Sequence, residues 1–123
     1  MQTRILGSIV GLQLDSLGDQ AMSLSVAGKY AITGCFLTNL SAPGLPNVQL
    51  YKAPGGAAAD RIVGGGSLAT LTAPDQVQQF SPTGGLDGSG TARIYTAATV
   101  YARVAAALPP GTTGDLYLMG VEL

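Results

Sequence analysis

The sequence has no histidine and no tryptophan, a single cysteine and few charges. Without histidine the commonest general base and the commonest metal ligand disappear together. Serine and threonine then lack their ordinary activating base, and Cys35 has no imidazole partner. A lone cysteine excludes an intrachain disulfide, and the apolar stretch around Cys35 marks it as a small buried hydrophobe. Charged residues make up 11% of the chain, less than half of the roughly 25% usual in soluble domains. So few charges cannot dress a whole free surface, and much of that surface is expected to be covered in the working state. The formal net charge is −1, and the six cations (Arg4, Lys29, Lys52, Arg61, Arg93 and Arg103) are never adjacent. Phosphate tracking needs clustered Lys and Arg, so no nucleic-acid partner is expected.

Long unbroken apolar runs are missing as well. Residues 30–51 carry no charge, but Gly34, Asn39, Pro43, Gly44, Pro46 and Asn47 interrupt them, so no membrane-spanning helix and no membrane partner are expected. Residues 5–14 follow Arg4, yet Asp15-Ser16-Leu17-Gly18-Asp19 is a poor signal-peptide cleavage site. That stretch reads as a strand.

Glycine and proline are abundant, at 18 and 7 residues, and punctuate the chain at roughly 8–12-residue intervals. Between them lie short runs of Val, Ile, Thr, Tyr and Leu. This is the pattern of an all-β sandwich or barrel, and the length suits one domain, residues 1–123. The expected strands are 4–13, 20–26, 30–40, 47–53, 61–63, 67–72, 76–81, 92–96, 99–107 and 115–122. Residues 57–63 fit a single helical turn or a short edge strand equally well. Gly28 is expected to supply positive φ in a turn, and residues 83–90 an exposed tip.

No local motif carries catalysis. Gly64-Gly65-Gly66-Ser67 lacks the Gly-Lys-Ser/Thr ending of a phosphate loop. Asp87-Gly88-Ser89-Gly90 and residues 15–19 offer too few oxygens for calcium, and their carboxylates are expected to bond their own turns. Asn39-Leu40-Ser41 matches the glycosylation pattern by chance. The seven acids mostly neighbour Gly or Pro in turns or strand ends. No enzyme activity, cofactor or metal is expected. The tyrosines are expected to fill the core with their hydroxyls at the rim, and Tyr95 and Tyr101 are the one clustered pair that could face a sugar.

In residues 114–123, Leu116, Tyr117, Leu118, Met119, Val121 and Leu123 leave both faces of a strand apolar, where a half-wet strand alternates. Residues 5–14 and 30–40 do the same. The expectation is that the last strand lies inside the sandwich or along an oligomer seam. A neighbouring chain would cover what the fold cannot. Leu116, Leu118, Met119, Val121 and Leu123, with Pro109 and Pro110 in the loop before them, are the candidate interface residues.

Several segments, taken in order, carry a resemblance. Gly18-Asp19-Gln20-Ala21-Met22 leads into Lys29-Tyr30-Ala31-Ile32-Thr33 and Leu37-Thr38-Asn39-Leu40-Ser41. Later come Val48-Gln49-Leu50-Tyr51-Lys52-Ala53, Tyr95-Thr96-Ala97-Ala98-Thr99-Val100-Tyr101, and Gly114-Asp115-Leu116-Tyr117-Leu118-Met119-Gly120-Val121-Glu122-Leu123. This order resembles the small tailed-bacteriophage proteins that decorate or cement the capsid. The loop 108–114, with its two prolines, departs from the more polar turn such proteins often carry. The resemblance implies a jelly-roll-like antiparallel β-sandwich without enzymatic activity. It further implies a homo-oligomer, dimer or trimer, bound to the major capsid protein on the virion exterior after synthesis in the host cytoplasm. The alternatives are another virion part, such as a head-fibre base or tail component, and a non-catalytic carbohydrate-binding sandwich.

Overall fold

A computed structural model describes residues 2–64, 69–82 and 93–123. Among them are nine strands: β1 (Arg4–Gln13), β2 (Gln20–Ser23), β3 (Tyr30–Thr38), β4 (Val48–Tyr51), β5 (Arg61–Val63), β6 (Val77–Phe80), β7 (Ile94–Tyr95), β8 (Thr99–Val104) and β9 (Thr113–Glu122). Every pairing is antiparallel. One sheet runs β1-β9-β3-β6, with β7 pairing the start of β3 beyond β6. The other runs β2-β8-β4-β5. The pairs are nested: β1 with β9, β2 with β8, β3 with β6, β4 with β5. With β7 set aside as an addition to one edge, this is the eight-stranded jelly roll of two packed sheets.

Both margins of the sandwich are stitched. At one, Ser25 N donates to Leu6 O at 2.7 Å, tying the segment after β2 to β1. At the other, Val63 bridges Pro82, and Gly64 N donates to Ser81 O at 3.0 Å. Bridging the margins in this way removes much of the edge-strand hazard of a two-sheet protein.

The core lies between the sheets. Leu6, Leu12, Tyr30, Leu37, Leu50, Ile62, Phe80, Val100, Leu116 and Leu118 are wholly enclosed or nearly so, and burial of each large side chain contributes about 1.5–3 kcal/mol. Cys35 lies among them. Burial pushes its thiol pKa up to about 12, as suits a small hydrophobe.

Strict alternation fails in β1 and β3 because both are bulged. In β1 the register slips between Ile5 and Gly7 and again between Ile9 and Leu12. Each bulge reverses the phase of the pleat. Leu6, Ile9 and Leu12 therefore all meet the core at a spacing of three, and Ile5, Ser8 and Val10 are exposed. In β3 the slip falls between Ile32 and Gly34. Tyr30, Ile32, Cys35 and Leu37 go inward, and Phe36, which simple alternation places with Tyr30, turns outward.

Other expectations change. The stretch 57–63 is a 3-10 turn over Ala58–Asp60 followed directly by β5, so both readings hold in succession. Of residues 67–72, the described part holds only an isolated bridge from Leu71 to Gly44. The strand over 99–107 stops at Val104, where Ala105 N turns to Asn47 O. Gly28 keeps negative φ, and positive φ appears at Gly11, Gly55, Gly56, Gly111 and Asn39 instead. The expected tip at 83–90, with Asp87-Gly88-Ser89-Gly90, and most of Gly64-Gly65-Gly66-Ser67 lie outside the described residues.

Candidate interaction surface

The two sheets turn very different outer faces to their surroundings. On the smaller sheet, Gln49 lies opposite Arg103, and Tyr51 lies opposite both Tyr101 and Arg61. Residues of the 52–60 segment fold over this face. A side chain at Gly56 would meet the Arg103 guanidinium at 2.9 Å, and Gly55 N donates to Asp19 Oδ2 at 3.0 Å. Arg103 pairs with Asp19 Oδ1 at 3.0 Å. This face is polar and partly roofed by the chain itself.

The outer face of the larger sheet is apolar. Across it, Ile5 lies opposite Met119, and Met119 opposite Gly34. Ser8, Tyr117, Phe36 and Gln79 form the next row, and Val121, Ala31 and Ile94 the row on the other side. Gly34 matters for the flatness of this surface. A Cβ there would stand 3.0 Å from the Phe36 ring, so the missing side chain lets the ring lie down over the strand. Ile5 is 50% exposed, Val77 53% and Ile94 57%, while Phe36, Tyr117, Met119 and Val121 are half-buried. Scattered exposed hydrophobics are ordinary, but a contiguous band over several strands marks an interaction site.

Asp115 lies on this face opposite Thr38, and its own chain engages both side-chain oxygens. Oδ1 accepts from Gly11 N at 3.0 Å, and Oδ2 from Asn39 Nδ2 at 3.1 Å. Both partners have positive φ, 75° at Gly11 and 54° at Asn39. One carboxylate on the middle strand thus fixes an unusual backbone conformation on each side of it. Asp15, Asp19 and Glu122 act similarly. Asp15 accepts from Gly111 N at 2.9 Å, and Glu122 accepts from Ala27 N at 2.9 Å while pairing with Arg4. These acids stitch segments remote in sequence rather than cap their own turns, which corrects the expectation for Asp15 and Asp19. The Ala27 amide and the Arg4 guanidinium hold the Glu122 carboxyl below its ordinary value.

The sequence-derived interface residues separate into three groups. Leu116 and Leu118 are fully enclosed in the core and offer nothing to a partner of the folded chain, a correction that follows from the inward pleat of β9. Met119 and Val121 lie on the apolar outer face, and Leu123 is 54% exposed just beyond β9. Pro109 and Pro110 are exposed in the loop before β9. Ile5, Phe36, Tyr117 and Ile94 join the surface without having been singled out. Their placement depends on bulges and strand order, which no local pattern announces.

Tyr95 and Tyr101 do not form a platform. Tyr95 belongs to the larger sheet, packs toward the core and meets the Tyr30 ring at 6.1 Å, whereas Tyr101 is on the outside of the smaller sheet. A depression of about 390 Å³ bounded by Arg4, residues 24–27 and Glu122 is floored by an ion pair that already has its partners. Among the described residues no group of three or more His, Cys, Asp or Glu converges as metal ligands do, and no helix is long and apolar enough to cross a membrane. No protein-family model matches the chain, and no curated protein is significantly similar to it.

Proposed function

We propose that this protein is a structural virion subunit that decorates and stabilises a bacteriophage capsid, binding the major capsid protein and neighbouring copies of itself. The observation that carries the reading is the apolar, nearly uncharged outer face of β1-β9-β3-β6 on an otherwise closed jelly roll. A subunit that works by burying surface needs such a face and needs no catalytic group. The low charge of the whole chain and the ordered resemblance to capsid-decorating proteins support the same reading. A single contact can be modest and still reinforce a shell, because many copies act at once.

The test is sedimentation of lysate from the native source. The 12.3 kDa polypeptide is expected to travel with megadalton particles and to stay with them in high salt, since contacts made by apolar burial are not screened. Recovery as a small soluble species from a lysate rich in assembled heads overturns the proposal.

A further inference from the structure

We infer that one end of the sandwich docks a short acidic segment of another protein, held by Lys29, Lys52 and Arg93 around a depression beside β7. The site adjoins the apolar face at Ile94 but depends on charge, not on the burial that the proposed function uses.

The formal net charge of −1 conceals a sorted molecule. Strand pairing gathers the starts of β1 and β3, the ends of β4 and β9, and β7 at one end. Arg4, Lys29, Lys52, Arg61 and Arg93 lie there, with Asp60 and Glu122 as the acids, a formal surplus of three positive side chains. The opposite end holds Asp15, Asp19, Asp75 and Asp115 against Arg103, a formal surplus of three negative side chains. The remaining acid, Asp87, lies outside the described residues. Strand β9 runs from one end to the other, and its length sets them about 30 Å apart. That is more than about three Debye lengths at physiological salt, so a small ligand at one end feels little of the other.

At the basic end Arg4 and Glu122 neutralise each other. Lys29, Lys52 and Arg93 are exposed and, among the described residues, have no ion-pair partner. They are remote in sequence, and pairing brings them together. The Tyr30–Tyr95 and Ala31–Ile94 pairs set Lys29 beside Thr96 in register and keep Arg93 on the same strand, three positions earlier. Lys52 comes from the other sheet and lines a depression of about 210 Å³ with Ile94, Tyr95, Thr96 and Ala97. Thr96, itself exposed, adds a hydroxyl to that lining. Like charges held together without counter-charges repel, and a partner's carboxylates relieve the repulsion.

The layout selects the occupant. Lys29 and Arg93 stand about 10 Å apart along β7, a span that an extended peptide bridges with carboxylates two or three residues apart. A single phosphate would want its donors converging on one point. A long nucleic acid laid along the sandwich would run on into the acidic end, which repels phosphate. A neutral sugar makes no use of the charge, and the aromatic residue of the lining, Tyr95, packs toward the core instead of offering a ring face.

The experiment is a titration of the isotope-labelled full chain with hexaglutamate, followed by amide chemical shifts, with hexaglutamine, inorganic phosphate and a hexathymidylate as comparison ligands. Hexaglutamate is expected to shift residues 28–30, 52–53 and 94–97, with a dissociation constant of roughly 100 µM to 1 mM at about 50 mM salt. Raising the salt to about 300 mM should weaken binding about tenfold. Lys29→Glu and Lys52→Glu change exposed side chains, so both should keep the native circular dichroism spectrum, and each should weaken binding by about fivefold or more. Asp75→Asn, at the opposite end, should leave binding unchanged within about twofold. The inference is overturned by the absence of shifts at about 5 mM peptide, by shifts elsewhere than this end, or by folded Lys29→Glu and Lys52→Glu variants that bind like wild type. Equal shifts from inorganic phosphate or hexaglutamine, or tighter binding of the oligonucleotide, also overturn it. A chain that binds hexaglutamate but never sediments with particles keeps this inference and loses the proposed function. One that sediments with particles but ignores the peptide does the reverse.

Discussion

Leu118 and Met119 are consecutive in β9 and have opposite environments: Leu118 is sealed in the core between the sheets, and Met119 lies on the outer apolar face opposite Ile5 and Gly34. An identical substitution at the two positions therefore separates folding from association. Leu118→Asp places an unpaired charge in the core, at a cost of several kcal/mol, and should abolish the folded state. Met119→Asp should keep the native circular dichroism spectrum while weakening particle binding and self-association. Comparing spectra and particle binding for the two variants checks both outcomes.

Glu122 makes stability depend on acid. Its carboxyl is held below the ordinary value of 4.5, first by the Ala27 amide and then by Arg4. The folded state thus binds this proton more weakly than the unfolded chain does. The contribution is present above the unfolded value and is lost as the pH falls through the lower, folded one. Glu122→Gln should lower the melting temperature at pH 7, and the gap to wild type should close as the pH drops below about 4.5. Thermal melts of both proteins across that range test this.

Cys35 and Tyr30 set an alkaline limit. Burial pushes both groups up to about 12. Their folded forms keep protons that the unfolded chain releases at lower pH, so the stability they confer is complete below the unfolded values and is lost as the pH rises through the folded ones. Denaturant unfolding should show stability declining between about pH 9 and 12, with a shallower decline in Cys35→Ala. At pH 8 the thiol should resist alkylation in the native protein and react fully in denaturant.

Gly120 is a packing glycine in the middle of the larger sheet. A Cβ there would collide with Ala31 O and stand 2.6 Å from Leu6 Cδ1. Because the first obstacle is backbone, Gly120→Ala should cost about 1–3 kcal/mol or more in chemical denaturation. Gly11→Ala meets no atom within 4 Å but forces alanine to φ 75°, and should cost only about 1 kcal/mol.

Asp115→Ala removes the acceptor shared by Gly11 and Asn39. The bonds are solvent-exposed, so the expected loss is about 1 kcal/mol, read as a lower denaturation midpoint at unchanged slope.

Composition and turn spacing were enough to determine the class of fold. Glycine and proline break the chain too often for helices of any length, and the β-branched and aromatic runs between them have strand length. The bounds of β1 and β5 follow from that alone, as does the buried character of Cys35. The sequence also announced that both faces of the last strand are apolar. It could not say which residue belongs to which face, because face assignment assumes an unbroken pleat. Bulges at Leu6, after Ile9 and at Thr33 reverse the phase, sending Ile9 inward and Phe36 outward. The stitching carboxylates were equally hidden, since Asp15 and Gly111 stand 96 positions apart. Strand order decided the rest: β9 runs between β1 and β3, which puts Leu116 and Leu118 at the centre of the core and lines up Ile5, Met119 and Gly34 on the surface opposite it, with Tyr117 and Phe36 in the next row. Local propensity acts within a few residues, whereas that arrangement is fixed by pairings across most of the chain, which only the folded molecule brings together.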